Sequence, residues 1–196
     1  MNRMAEILRR RRGIGSRLMG RARRGIAALE FALTLPIWIT LLLGAADGTY
    51  CMLVNERTDR IAYTVTDIVT QYQTVSVANL NDIVQAASQI MNPFTFGNNG
   101  VVIISSVYKP AGATPYICWQ YTGGGGLVAT SHIGTTGGAP ALPNGLTLND
   151  NDNVIIAEVF YNFTPMFVSE GLFTSGTIYR NAVYKPRLSP LTQTPS

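Results

Sequence analysis

The chain has 196 residues, of which 46% are hydrophobic and only 13% are charged, so charge is scarce for a wholly soluble protein. This length leaves room for one compact domain beside a membrane segment and excludes two large domains. The net charge of +4 is unevenly placed: residues 1–25 hold nine of the fifteen basic residues and one acid, and everything after Gly25 sums to −4.

A basic N-terminal segment of this kind has three interpretations: a nucleic-acid-binding arm, a solvated tail, or a cytoplasmic anchor beside a membrane helix. No aromatic pattern accompanies the arginines, which disfavours nucleic acid as a partner. The residues that follow favour the anchor, because they are apolar.

Phe31–Ala46 contains no charged residue in sixteen positions. A helix from Ile26 to Val54 would be about 43 Å long, enough to cross a bilayer core of about 30 Å. Basic residues precede this span and few follow it, which predicts a cytoplasmic N-terminus and an extracytoplasmic remainder. Pro36 lies within the span; prolines are common in membrane helices, so a structural role explains it, with a functional kink as the alternative. Asp47, near the outer interface, is interpreted as a water-facing helix residue, with helix packing as the alternative.

Residues 55–92 are predicted to be helical. Apolar residues recur at helical spacing at two sites, and Pro93 follows the second. The first set is Val54, Ile61, Val65, Ile68, Tyr72 and Val75; the second is Leu80, Ile83, Ala87 and Ile90, with Asn79 as the expected cap. The span and the first set are interpreted as one long helix with a break near Gly44 or Gly48.

Residues 93–196 are predicted to form strands and turns. Four β-rich runs are bounded by Gly, Pro and Asn, namely Val101–Tyr108, Tyr116–Tyr121, Val154–Phe163 and Thr177–Tyr184. Helices followed by an antiparallel sheet define an α+β fold. Residues 122–150 are predicted to be a glycine-rich loop with one short strand at Leu127–Ser131. The glycines at 123–126 lack the following Gly-Lys-Ser/Thr of a phosphate-binding loop, so a flexible surface loop is expected.

The residues that could support catalysis or metal binding are few. Cys51 and Cys118 are too few for a disulfide framework or a four-ligand metal site; an oxidising compartment permits a bridge between them, but two unpaired thiols are preferred. His132 is the only histidine, and Ser131 beside it makes no triad. We therefore predict no catalytic activity, no metal and no cofactor.

The junction between the basic segment and the span is informative. Arg21-Ala22-Arg23-Arg24-Gly25 leads directly into Ile26-Ala27-Ala28-Leu29-Glu30-Phe31, so a carboxylate stands five residues beyond a glycine. An ordinary secretory signal has its cleavage site after the apolar core, not before it. A charge at mid-membrane costs at least about 2.5 kcal/mol and usually marks function. The alternative is a signal anchor whose glutamate sits at the interface.

This pattern resembles the class III leader of type IV prepilins. More narrowly, residues 25–47, with Ala-Leu-Glu-Phe-Ala-Leu at 28–33, Pro36, and Gly44 to Asp47, look like the TadE/TadG-like pseudopilins of tight-adherence (Flp, type IVb) pilus systems. Similar residues continue more diffusely at 67–71, 91–93, 102–106, 118–120 and 161–165. The metal-dependent adhesion motif of TadG, Asp-x-Ser-x-Ser, is absent, so TadE is the closer likeness.

The resemblance implies that a prepilin peptidase cuts between Gly25 and Ile26, and that Glu30 and Phe31 act in assembly. The α-amine freed on Ile26 of one subunit would pair with Glu30 of its neighbour. The implied partners are the prepilin peptidase, other pilins or pseudopilins with their assembly machinery, and the cytoplasmic membrane. A short major pilin is disfavoured by the chain length. A membrane-anchored envelope receptor or adhesin with a ligand-binding β domain stays open as the alternative.

Overall fold

The computed structural model describes residues 2–167 and 174–196, and it describes side chains from Ile26 onward within these ranges. It confirms the α+β fold: helices come first and a four-stranded antiparallel sheet follows. The elements are α1 (Asn2–Val69), α2 (Val77–Ser88), β1 (Gly100–Tyr108), β2 (Tyr116–Gly123), β3 (Asn153–Phe163) and β4 (Gly176–Tyr184). Two compact units are present, Met1–Ala46 and Asp47–Ser196.

α1 is continuous through Gly44 and Gly48, so the break considered there does not occur. It ends at Val69, although the apolar spacing predicted helix as far as Val75. Tyr72 and Val75 are still partly buried against the core. The apolar pattern therefore predicted which residues contact the core, but Tyr72 and Val75 do so from beyond the end of the helix.

α2 begins one turn earlier than predicted, and Asn79 is not its cap. The Ser76 side chain accepts a hydrogen bond from the backbone N–H of Asn79 at 3.2 Å, and the Asn79 side chain accepts one from the Ser76 backbone N–H at 3.3 Å. This reciprocal pair is a capping box, in which the third helical residue reaches back to the cap. The buried face of α2 consists of Leu80, Ile83, Val84 and Ala87.

The sheet has the strand order β2-β1-β3-β4, with every neighbouring pair antiparallel. The four predicted strands are confirmed, with their ends within two residues of those observed. The pairing of β1 with β2 shifts register between Ser106 and Val107, which pair with Trp119 and Ile117 and leave Cys118 as the extra residue. This bulge lets Trp119 and Ile117 enter different core clusters.

Both faces of the sheet are covered. One face packs with α2 and the end of α1 in the main core, which includes Val54, Ile61, Val65, Leu80, Val84, Ile104, Ile155 and Val159. The opposite face packs against the segment between β2 and β3, through Leu127, Ala129, Ile133, Leu142 and Leu148. The strand predicted at Leu127–Ser131 is therefore wrong: this segment covers a sheet face instead of pairing along a strand edge.

The glycine run after β2 is a point of close packing. Gly124 has φ +83°, and a Cβ atom on Gly125 would lie 2.1 Å from the backbone oxygen of Gly100. The backbone N–H groups of Gly126 and Leu127 donate to the backbone oxygens of Gly97 and Gly100 at 3.0 and 3.2 Å. Glycine is required here because two backbones approach closely.

Candidate membrane and assembly site

The first part of the site is the apolar segment of α1. Every residue from Ile26 to Leu42 is exposed. Ten of these have large apolar side chains, namely Ile26, Leu29, Phe31, Leu33, Leu35, Ile37, Trp38, Ile39, Leu41 and Leu42. Among the described residues, one helix is long and apolar enough to cross a membrane, Ile26–Val69, and its most apolar window has a mean hydropathy of 2.1 with none of it buried.

An apolar surface of this size requires an apolar environment. Burying one such side chain fully is worth about 1.5–3 kcal/mol, so ten left in water would be unfavourable by more than about 10 kcal/mol. A lipid bilayer or another apolar protein surface would remove that penalty.

The two threonine hydroxyls of this segment are hydrogen-bonded within the helix. The Thr34 hydroxyl donates to the backbone oxygens of Glu30 and Phe31 at 3.0 and 3.2 Å. The Thr40 hydroxyl donates to the backbone oxygen of Pro36 at 2.9 Å. Such internal bonding is what a helix needs in lipid, where water cannot satisfy polar groups.

Ile26 and Glu30 are four residues apart and therefore share one face of α1. Glu30 is exposed, and so is Phe31, at 62%. No ion pair reaches the Glu30 carboxylate from any side chain within 26–167 or 174–196. Gly25 lies outside the residues whose side chains are described. The cleavage between Gly25 and Ile26 and the pairing of Glu30 stay predictions.

Asp47 differs most from expectation, because it is fully buried and does not face water. Its Oδ1 atom accepts hydrogen bonds from the backbone N–H groups of Met166 at 2.9 Å and Phe167 at 3.2 Å, and its Oδ2 atom lies 3.2 Å from the same Phe167 nitrogen. Asp47 therefore holds the segment that follows β3. At Gly44, by contrast, a Cβ atom would meet nothing within 4 Å.

The two cysteines are free thiols, each half-buried at the margin of the main core. The Asn55 side-chain amide donates to the Cys51 backbone oxygen at 2.8 Å and approaches Cys51 Sγ at 3.5 Å. Burial raises the pKa of the Cys118 thiol, which disfavours a reactive thiolate.

Sequence reasoning missed Glu158, a fully buried carboxylate on β3. It accepts hydrogen bonds from the Tyr179 hydroxyl at 3.0 Å, from the His132 backbone N–H at 2.8 Å, and from the Ser131 hydroxyl. The one signal was an acid within the apolar run Val154–Phe163. These hydrogen bonds hold the segment between β2 and β3 against the sheet.

The grouping of Ser131, His132 and Glu158 is not a catalytic triad. The Ser131 hydroxyl donates directly to the carboxylate, and His132 contributes its backbone instead of its ring. The ring of His132 lies against Phe160 and Tyr179, with centroid distances of 5.2 and 4.3 Å. Burial, followed by the nearby charge of Glu158, raises the pKa of Tyr179.

No group of three or more metal-ligating side chains occurs in the part of the chain that the structure describes. No protein-family model, curated protein or solved structure matches the chain.

Proposed function

We propose that this protein is a TadE-like minor pseudopilin, made as a prepilin, anchored in the cytoplasmic membrane by α1, and active in assembling or priming a tight-adherence pilus. The observation that supports this proposal is an apolar helical segment that is exposed from Ile26 to Leu42, with an exposed carboxylate four residues after Ile26. A simple anchor has no need of that carboxylate, whereas an assembling helix uses it as a docking charge.

In this proposal, the leader of residues 1–25 remains in the cytoplasm and is cut off by a prepilin peptidase. Cleavage turns the amide of Ile26 into a positively charged α-amine. Glu30 lies one helical turn further along the same face, about 6 Å by helical rise. A neighbouring helix displaced by about one turn therefore brings its own amine to this carboxylate, so the pairing sets both contact and stagger between subunits.

Loss of either member of the pair is expected to be costly in the assembled state. Removing one member of a buried ion pair leaves the other charge uncompensated, which destabilises by about 3–5 kcal/mol. Before assembly, Glu30 lies near the cytoplasmic interface, where a charge is tolerated better than at the bilayer centre.

Processing is tested by N-terminal sequencing of the membrane-extracted protein from a host that has a prepilin peptidase. The chain should begin at Ile26. Replacing Gly25 by a bulky residue should leave the full-length precursor inserted in the membrane. An intact Met1 start, or cleavage after Ala46, would contradict the proposal.

Assembly is tested separately with Glu30→Leu and Glu30→Gln, compared with Glu56→Gln at an exposed acid of the second unit. The Glu30 variants should insert and be cleaved normally, while filament formation and co-purification with partner pilins fall sharply. Glu56→Gln should behave as wild type. Normal filaments from the Glu30→Leu strain would overturn the pairing mechanism and favour the alternative of a membrane-anchored receptor or adhesin.

A further inference from the structure

The segment that follows β3 presents two large apolar side chains to the surroundings. Met166 is 63% exposed and Phe167 is 58% exposed, whereas Pro165 beside them is buried. The segment is held in place by its backbone, because both N–H groups donate to the carboxylate of Asp47. The side chains of Met166 and Phe167 thus remain available for an external contact.

The position of Asp47 along the chain indicates the depth in the membrane at which that contact is expected. Asp47 follows Ala46, the last residue of the charge-free run, and it starts the second compact unit. From Ile26 to Asp47 the helix rises about 32 Å, close to the thickness of a bilayer core of about 30 Å. Met166 N lies 2.9 Å from Asp47 Oδ1. The Met166 and Phe167 side chains are therefore expected at the depth where the charge-free run ends and α1 leaves the hydrocarbon core of the bilayer.

We propose that Met166 and Phe167 insert into the interfacial layer of the bilayer that α1 crosses, as a second membrane contact positioned by Asp47. This inference rests on the proposed membrane anchoring by α1. The occupant of the apolar surface is therefore lipid: the glycerol and upper acyl region at the end of the span.

Asp47 makes this contact physically reasonable. A carboxylate at the edge of the hydrocarbon is unfavourable unless it is hydrogen-bonded, and so are backbone N–H groups near lipid. Here the carboxylate and the two N–H groups satisfy one another. The segment can then approach the membrane with its polar atoms paired and its apolar side chains facing outward.

The test uses the full-length protein with Cys51 and Cys118 replaced by alanine, reconstituted at one copy per phosphatidylcholine and phosphatidylglycerol nanodisc. An environment-sensitive fluorophore is attached in separate samples to Phe167→Cys, Met166→Cys, Val128→Cys and Leu41→Cys. Val128 is the water reference because it is 96% exposed on the segment that covers the opposite sheet face. Leu41 is the reference for the span.

The labels at residues 166 and 167 should show blue-shifted emission and quenching by spin-labelled lipid, intermediate between the labels at 41 and 128. Adding Asp47→Ala should reduce the quenching at 167 severalfold and leave that at 41 unchanged. If the label at 41 is quenched while those at 166 and 167 match 128, the proposed lipid contact is overturned and the membrane span stands. An unquenched label at 41 would overturn the span as well. Shielding of 167 only in vesicles with many copies, without lipid quenching in nanodiscs, would mean a contact between protein copies and would also overturn the proposal.

Discussion

The indole N–H of Trp119 donates a hydrogen bond to the backbone oxygen of Leu191 at 2.8 Å. The same oxygen accepts from the Ser106 hydroxyl at 2.7 Å, and the backbone N–H of Leu191 donates to the Asn153 side chain at 2.8 Å. Side chains from three strands therefore satisfy both backbone groups of one residue in the C-terminal segment. Leu191 itself is only 4% exposed. The segment after β4 is thus part of the core and is held there by buried polar bonds.

Trp119→Phe should lower the free energy of unfolding by about 1–3 kcal/mol, because a buried carbonyl loses a donor and the smaller ring leaves a void. Urea unfolding of the full-length protein in detergent measures this change. Trp38→Phe is the matched control: Trp38 is 66% exposed in the first unit, so its replacement should shift the midpoint little. Equal effects of the two variants would contradict the role assigned to Trp119.

Gly125→Ala should destabilise the protein because the new Cβ atom would lie 2.1 Å from the Gly100 oxygen and 2.4 Å from the Gly97 oxygen. Neither contact is with a flexible side chain, so the glycine-rich segment must shift, at a cost of about 1–3 kcal/mol. Gly176→Ala serves as the comparison, since a Cβ atom there meets nothing within 4 Å. A loss of thermal stability at 125 no larger than that at 176 would show that the close backbone approach is unimportant.

Local patterns were sufficient for most of the elements. The strands were predictable because β-branched and aromatic runs are bounded by Gly, Pro and Asn, and the sheet follows from them. The helix end at Val69 was not predictable from periodicity. There the Arg187 backbone N–H donates to the Thr70 oxygen at 2.9 Å, so the C-terminal segment supplies the next hydrogen bond in place of another helical turn.

Of the site residues, likewise, one could be identified from local sequence and two could not. Glu30 stands out in the sequence because it is a charge beside an apolar span. The partners of Asp47 are 119 and 120 residues away along the chain, so no local spacing could identify them. The hydrogen-bond partners of Glu158 are likewise distant in sequence: Ser131 is 27 residues away and His132 is 26 residues away. The sequence does not reveal the path of the glycine-rich segment that brings them together.

Glu158→Gln should destabilise the second unit by about 1.5–3 kcal/mol, the usual worth of a hydrogen bond to a charged group. The carboxylate accepts three hydrogen bonds, whereas an amide must direct its NH₂ group toward at least one of the same donors. Protection of backbone amides from hydrogen exchange should fall around His132 before the sheet itself opens. Glu56→Gln, at an exposed site, should change neither quantity; an identical exchange pattern for both variants would rule out the pinning role of Glu158.

Tyr161 gives the protein a predicted stability limit at alkaline pH. Burial, with a smaller contribution from Tyr50, raises the pKa of the Tyr161 phenol to about 12. The unfolded value is about 10, so between about pH 10 and 12 the folded state binds more protons than the unfolded state, and the free energy of unfolding falls as pH rises. Below about pH 10 this group contributes no slope. Tyr161→Phe should reduce the slope measured by urea unfolding across this window, relative to the control variant Tyr63→Phe at an exposed ring. An unaltered slope in Tyr161→Phe would assign the alkaline loss to another group, with half-buried Tyr179, whose pKa is shifted in the same direction, as the next variant to measure.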